Sequence, residues 1–433
     1  MISPEHQLVD ALMAEGVANG LIHLLTEDAV YTDGRTITLE GRPVLNFGSC
    51  SYLNLHHDPA IVDGAIDAIR RYGTQFSSSR AYVRTTLYGE VESLLGDLFG
   101  APPIVTTSTT LAHMSALPVL LGPDDAALVD RQSHHSVQTA AALAAARGTA
   151  VETVSHNDLA ALRDRVVALS RTHDRVWFLC DSLYSMYGDF APLGNLMALV
   201  DELPQLHLYV DDAHATGWFG HHGRGYAAER LEGHPRTAIA TSLSKSFAAN
   251  GGALVIHDPE LRRVVLHCGA PLTFSGPLPP PVLGALAASA RLHLSDQHAA
   301  HQRALHDRMA HAALRAAELG LPMINAPGSP VRFLALGDEA VMHAMARGLR
   351  AEGFWTNSAA FPAVPQGRAG IRFTLTNALR FEDIDRLLET VAALYPRCLE
   401  VAGQTPDAAE QAFVKVRQRL NYSTLPAPRI EAE

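Results

Sequence analysis

Short apolar runs alternating with alanine-rich helical stretches organise this chain from about residue 45 to 290. Ala127–Asp130, Val176–Asp181, Leu206–Asp211 and Ala253–Ile256 are the clearest strand patterns, and the first three close on an aspartate. Helical spacing separates them, as over Val137–Arg147. Apolar runs too continuous to have a solvated face, alternating with helices, predict an α/β fold with a mostly parallel, helix-covered sheet. Ligands of such sheets lie beyond the carboxyl ends of the strands, where Asp130, Asp181 and Asp211 fall.

The flanking segments differ in pattern. Residues 1–45 predict an N-terminal arm, an amphipathic helix carrying Leu8, Leu12 and Met13 followed by a short hairpin around Asp33-Gly34. Pro277–Pro281 punctuates the chain, and one long helical pattern follows over Val282–Leu319. Strands near Val331–Leu336 and Gly370–Leu375 and a helix over Asp383–Leu394 predict a smaller α/β unit. The expected organisation is therefore an arm over 1–45, a large domain over 46–290, a small domain over 291–400 and a tail over 401–433. The tail holds one charged helix, Ala408–Leu420, before a frayed, disordered end.

Composition narrows the classes. The 433 residues are 47% hydrophobic with a formal net charge of −11, which suits a soluble globular protein and disfavours nucleic acid or an anionic membrane as partner. Cys50, Cys180, Cys268 and Cys398 form no CxxC pair, so the reading is of buried free thiols in a reducing cytosol rather than a zinc site or disulfide framework. The scattered histidines have no consistent ligand spacing, and no metal is expected. No run approaches the roughly 18 apolar residues of a membrane span, so a cytoplasmic protein without membrane insertion is expected.

Lysine is nearly absent. Only Lys245 and Lys415 occur, and arginine supplies the other positive side chains. Lys245 lies in Ser242-Leu243-Ser244-Lys245, directly after the apolar run Thr237–Thr241. A strand end with small hydroxyl residues and one amine is a place for a Schiff base, which arginine cannot form. A chance survivor on the surface is the plainer alternative. In Asp211-Asp212-Ala213-His214, followed by Thr216-Gly217, a carboxylate ends a buried strand with a histidine three residues on. Such a carboxylate can keep a heterocyclic ring nitrogen protonated, which makes pyridoxal phosphate an electron sink; a helix cap with a core histidine fits the same letters. The run Thr106–Thr110, with Ser108, Thr109 and Thr110, precedes a helical pattern and suits a phosphate, although hydroxyl capping is the commoner explanation of such a run. Ser242 and Ser244 could add hydroxyls there, and His134, after another strand end, could lie against a flat cofactor.

In combination these segments resemble the α-oxoamine synthases, fold-type I pyridoxal-phosphate enzymes. The resemblance runs from about Phe47 to Leu394 and includes Gly220-His221-His222-Gly223-Arg224-Gly225, Ser155–Asp158, Ser185–Leu193 and Ile371–Thr374. It implies a Schiff base at Lys245, Asp211 on the pyridine nitrogen, His214 on the phenolic oxygen and His134 stacked on the ring. Ser185 becomes cofactor-proximal, Ser108, Thr109, Thr110, Ser242 and Ser244 belong to the cofactor set, and Tyr52 to the substrate side. Arg372 becomes the clamp of the amino-acid carboxylate. Ser275 becomes a residue reaching the neighbouring subunit's phosphate, which implies a homodimer with shared active sites. The implied reaction condenses an α-amino acid with an acyl thioester, on coenzyme A or acyl carrier protein, with loss of carbon dioxide.

The sequence also departs from the family. Its usual Asn-x-Tyr-Leu-Gly-Leu reads Cys50-Ser51-Tyr52-Leu53-Asn54-Leu55, Tyr88 replaces a histidine, and Thr109-Thr110 and Gly276 replace other usual residues. Cofactor positions are kept while substrate-facing ones change, which favours a specialised biosynthetic substrate pair. Arg80 and Arg84 could bind a phosphate-bearing acyl donor, or be solvated surface arginines. An aminotransferase, an aldolase and a non-catalytic subunit of a heteromeric synthase are the rival readings.

Overall fold

A computed structural model describes residues 2–27, 33–324 and 328–420. The chain forms two compact units. Among the described residues the small unit takes those up to Asn54, Ser185–Asp189 and those from Arg303 to Leu420; the large unit takes Leu55–Tyr184 and Phe190–Gln302. These divisions fall elsewhere than the expected boundaries at 45, 290 and 400, because the N-terminal strands and the tail helix pack with C-terminal segments.

The small unit opens with α1 (Pro4–Ala18), whose Ser3 caps the first turn. Leu8 and Met13 are exposed and Leu12 is half-buried, so the expected apolar stripe is only partly covered. β1 (Thr36–Leu39) and β2 (Arg42–Asn46) pair as a hairpin. Its turn is at Glu40-Gly41, with φ of 52° and 70°, rather than at Asp33-Gly34. Two consecutive left-handed residues match the twist of the strands they join. Asp33 instead accepts the N–H groups of Arg35 and Thr36 and leads the chain into β1.

In the large unit α2 (Pro59–Tyr72) and α3 (Thr86–Phe99) precede the alternating core. There follow β3 (Ile104–Thr106), α4 (Thr109–Leu120), β4 (Asp125–Asp130), α5 (His135–Ala145), β5 (Ala150–Val154) and α6 (Leu159–Leu169). Then come β6 (Arg175–Asp181), α7 (Leu193–Glu202), β7 (Leu206–Asp211), α8 (Tyr226–Leu231), β8 (Thr237–Ser242) and β9 (Gly252–Ile256). One seven-stranded sheet results, in the order β3-β9-β8-β7-β6-β4-β5. β5, β4, β6, β7 and β8 run parallel, and β9 runs opposite to both its neighbours, β8 and β3. The fold is the mostly parallel α/β architecture expected. β3 and β5 escape the pattern of letters, one being three residues long and the other a half-exposed edge strand.

α9 (Pro259–Cys268), α10 (Ala270–Phe274) and α11 (Pro280–His293) follow. The single helix expected over Val282–Leu319 is two, α11 and α12 (His298–Glu318). Ser295 bonds back to Leu292 O at the break, local side-chain competition of the kind that ends helices. The small unit resumes with β10 (Val331–Gly337), α13 (Glu339–Ala351), β11 (Phe354–Trp355), β12 (Asn357–Ala359), β13 (Ala369–Thr374), α14 (Phe381–Val401) and α15 (Pro406–Arg417). β10, β13 and β12 form an antiparallel sheet, and β11 joins β2 in parallel. α15 is not a loose tail: Phe413 and Val416 are buried with Tyr187 and Phe333. The disordered end expected after it lies outside the described residues. Of the cysteines expected to be buried, Cys180 and Cys398 are, whereas Cys268 is exposed and Cys50 intermediate. Among the described residues no helix is long and apolar enough to cross a membrane.

Candidate active site

The carboxyl ends of β4, β6 and β7 carry Asp130, Asp181 and Asp211, all buried, with Asp181 opposite Asp211 in the strand register. The three do different work. Asp130 accepts from His156 Nδ1 at 3.0 Å and from the N–H of Gln132 at 2.8 Å, which fixes the loop after β4. Asp181 accepts the backbone N–H of His134 at 3.0 Å; burial and then the Asp211 charge push its pKa well up. Asp211 takes the N–H of Ala213 on Oδ1 at 3.0 Å and His113 Nε2 on Oδ2 at 3.0 Å. Burial pushes Asp211 up too, but His113, Lys245 and His134 outweigh it and bring it down to about 2. One ionised carboxylate thus stands where an apolar environment alone would neutralise it.

Lys245 sits, partly exposed, in the loop between β8 and β9. Phe247, fully buried, stacks on His293 with ring centroids 4.3 Å apart and pins that loop from beneath. Ser242 Oγ accepts the N–H of Ser244 at 3.2 Å, and Ser244 is itself exposed. The start of α4 packs here as well: Thr109 Oγ1 donates to Thr241 O at 3.3 Å. Ser108 Oγ caps the helix by accepting Leu111 N–H at 3.2 Å, as the capping alternative anticipates, while Thr110 stays exposed. A Cβ on Gly252 would come within 2.7 Å of Thr109 N, so a residue without a side chain is needed for this approach.

The loop after β7 is held by Asp212, which accepts from Ser182 Oγ, from Ala227 N–H at 3.0 Å and from Thr216 Oγ1 at 3.1 Å. Burial raises its carboxyl to about 7. A Cβ on Gly225 would meet Asp212 Oδ2 at 1.9 Å, the physical reason for glycine in the 220–225 turn. His214 is buried in this loop, its carbonyl accepting Trp218 Nε1–H at 2.7 Å. His134, the N-cap of α5, accepts Ser136 N–H at Nδ1. Its ring is open to solvent, but desolvation by the surrounding protein lowers its pKa, against Asp211 and with Lys245.

His113 is absent from the expectations. It lies four residues after Thr109 on α4, fully buried, and its Nδ1 is 2.9 Å from Tyr209 Oη. Its position one helical turn after the hydroxyl run was the available signal.

Arg80 differs from the expected donor-binding role. Its guanidinium is buried, donating to Val105 O at 2.6 Å and to Glu92 at 2.8 Å, over the Tyr88 ring at 5.0 Å. Arg84 stands 3.8 Å from the same Glu92 and is half exposed. Tyr88 Oη accepts Leu278 N–H at 2.8 Å. Ser275 lines a narrow crevice with Arg80, Tyr88, Thr106 and Thr107.

In the small unit, Arg372 of β13 is buried. It donates to Ser185 O at 2.7 Å, to Asn357 Oδ1 at 3.4 Å and to Cys50 Sγ at 3.6 Å. Tyr52, fully buried, shares hydrogen bonds with Cys50 and Arg372, and burial raises its hydroxyl pKa well up. No carboxylate pairs with Arg372 among the described residues. Asn54 replaces the family's glycine yet keeps φ at 56°, a left-handed conformation asparagine tolerates.

Residues 42–391 match the family described as aminotransferase class I and II. The chain belongs to that family. Within it, the chain is 32% identical to an 8-amino-7-oxononanoate synthase of Dechloromonas aromatica over 83% of its length and 92% of that protein. It is 28% identical to a serine palmitoyltransferase of Bacteriovorax stolpii, covering 83% of this chain and 84% of the relative. Both relatives are α-oxoamine synthases, and this aminotransferase-family chain is a member of that group. Sphingomonas wittichii serine palmitoyltransferase superposes with a TM-score of 0.82 at 23% identity, over 92% of this chain and 98% of that one, a likeness of fold.

Proposed function

We propose that this α-oxoamine synthase is a cytoplasmic, homodimeric acyltransferase. It condenses an α-amino acid with an acyl thioester, on coenzyme A or acyl carrier protein, releases carbon dioxide and forms an α-amino ketone. The observation that carries the reading is the ionised, buried Asp211 beside Lys245 at the strand ends. The donor set fits pyridoxal phosphate: a carboxylate for the ring nitrogen, an amine for the aldehyde carbon, and hydroxyls with helix-start N–H groups for the phosphate. Once bound, the cofactor supplies an electron sink for the carbanion next to the amino-acid carboxylate.

The side chains divide the remaining work. Lys245 holds the cofactor and, when released, takes the proton from the amino-acid Cα. Asp211 keeps the ring-nitrogen proton in place, and His214 donates to the phenolic oxygen. His134 would lie against the ring and hydrogen-bond the thioester carbonyl oxygen. Ser108, Thr109, Thr110, Ser242 and Ser244 are the phosphate set, with Ser275 serving the neighbouring subunit's phosphate. Ser185 and Tyr52 support Arg372, whose planar fork binds the carboxylate in two parallel bonds. Substitution at Cys50, Asn54 and Tyr88 supports an unusual amino acid or a carrier-bound acyl group in a specialised pathway. Mass spectrometry of products from amino acids crossed with acyl thioesters tests the reading, together with counts of thiol and carbon dioxide. Matched release of all three is expected; a keto acid formed without thioester would replace the synthase with an aminotransferase.

A further inference from the structure

Tyr209 and Asp211 are two residues apart on β7, so their side chains leave the same face of the sheet. α4 packs on that face and sets His113 across both: Nδ1 is 2.9 Å from Tyr209 Oη and Nε2 is 3.0 Å from Asp211 Oδ2. His113 and Tyr209 are fully buried and Asp211 nearly so. An ionised carboxylate only accepts, so His113 Nε2 carries hydrogen. A neutral ring then accepts at Nδ1, and the Tyr209 hydroxyl donates to it. In that tautomer every donor in the row points toward Asp211. The charged or titratable groups facing this row are Asp181, paired with Asp211 on the neighbouring β6, Asp212 beside it on the chain, His134 from the loop after β4, and Lys245 from the loop after β8.

We propose that His113 is a positioning residue that, backed by Tyr209, locks the Asp211 carboxylate in orientation and in its ionised form, so that the cofactor's ring nitrogen keeps its proton. The inference rests on Asp211 facing that nitrogen. Asp211 has one further bond, Ala213 N–H to Oδ1, which holds one oxygen and leaves the other to His113. Without His113, the buried Oδ2 loses its side-chain donor and its proton affinity rises. Asp211 then competes for the ring proton instead of sharing it. Leucine removes the donor, whereas glutamine restores an N–H for Asp211.

The test uses holoenzyme loaded with pyridoxal phosphate labelled with 15N in the ring, read by NMR, beside the cofactor dissociation constant. In His113→Leu the ring-nitrogen resonance should move toward the unprotonated position. Cofactor affinity should fall about tenfold to a hundredfold, the usual effect of one lost hydrogen bond to a charged group. His113→Gln should recover both. A wild-type resonance and affinity in His113→Leu, with only a lower melting temperature, would reduce His113 to a packing residue and overturn the proposal. Should His113→Leu not fold, 15N-histidine spectra of wild type and Tyr209→Phe decide: the Nε2–H tautomer and a changed Nδ1 resonance support the row, and an Nδ1–H tautomer overturns it. Asp211→Asn separates the premises. An unmoved ring resonance there removes Asp211 from the cofactor, while a moved one with His113→Leu unchanged removes only the His113 role.

Discussion

Asp211 in the large unit and Arg372 in the small unit are both buried charges, yet they are held in opposite ways. Asp211 has histidine partners and Lys245, and its pKa falls to about 2. Arg372 meets a carbonyl, an amide oxygen, the Cys50 sulfur and the Tyr52 hydroxyl, none of them a carboxylate. The large unit balances its charge internally, as it also does for Arg80 with Glu92. A buried guanidinium without a carboxylate has capacity for an anion brought by a ligand, because the interior offers no other ion to offset its desolvation. In the proposed function the first is a carboxylate held ready for a cofactor and the second a cation set aside for a substrate.

The largest expected effect tests the premise that the Asp211 region holds the cofactor. Lys245→Ala should eliminate the borohydride-fixed cofactor adduct and activity while leaving the circular dichroism spectrum native; a persisting adduct would shift attention to Lys415, exposed on α15. Arg372→Ala should weaken amino-acid binding about tenfold to a hundredfold, read by spectral titration. Arg372→Lys should recover only part, since an ammonium lacks the fork. Unchanged amino-acid affinity in both variants would erase the contrast drawn between the two regions. Glu92→Gln probes an internally balanced pair: it strands the Arg80 charge and should cost about 3 kcal/mol in urea unfolding, with amino-acid affinity unaffected.

The smallest effect is one of pH. Asp211 is depressed in the folded protein, so its stabilisation is complete above the unfolded value and is lost as pH falls from 3.8 through about 2. Acid unfolding of apo-protein should show a contribution of about 2 kcal/mol over that window, missing in Asp211→Asn. An identical acid profile for the two proteins would mean that the histidines do not hold Asp211 ionised.

Legibility varied with how local each cause is. β4, β6 and β7 were readable because strands buried on both faces need continuous apolar runs, and the aspartates closing them stood out against those runs. The two lysines made Lys245 conspicuous before any neighbour was known. The hairpin was misplaced because Asp33-Gly34 reads as a turn, and only strand pairing puts the turn at Glu40-Gly41. α11 and α12 merged because a four-residue break leaves helical letters nearly undisturbed. Arg80 read as a donor-binding or surface cation; nothing local to it announced Glu92 twelve residues away.

The sequence by itself determined the α/β architecture, the family and the residue types available for its chemistry, since periodicity, strand-end residues and motif spacing are written along the chain. Tertiary structure decided which charges are already balanced. His113 meets Asp211 across 98 residues and Arg372 meets Ser185 across 187, and those approaches depend on packing rather than on neighbouring letters. Burial strengthens electrostatic interactions and raises the cost of an unmatched charge, so the role of an ionisable side chain is set by partners that only the fold supplies.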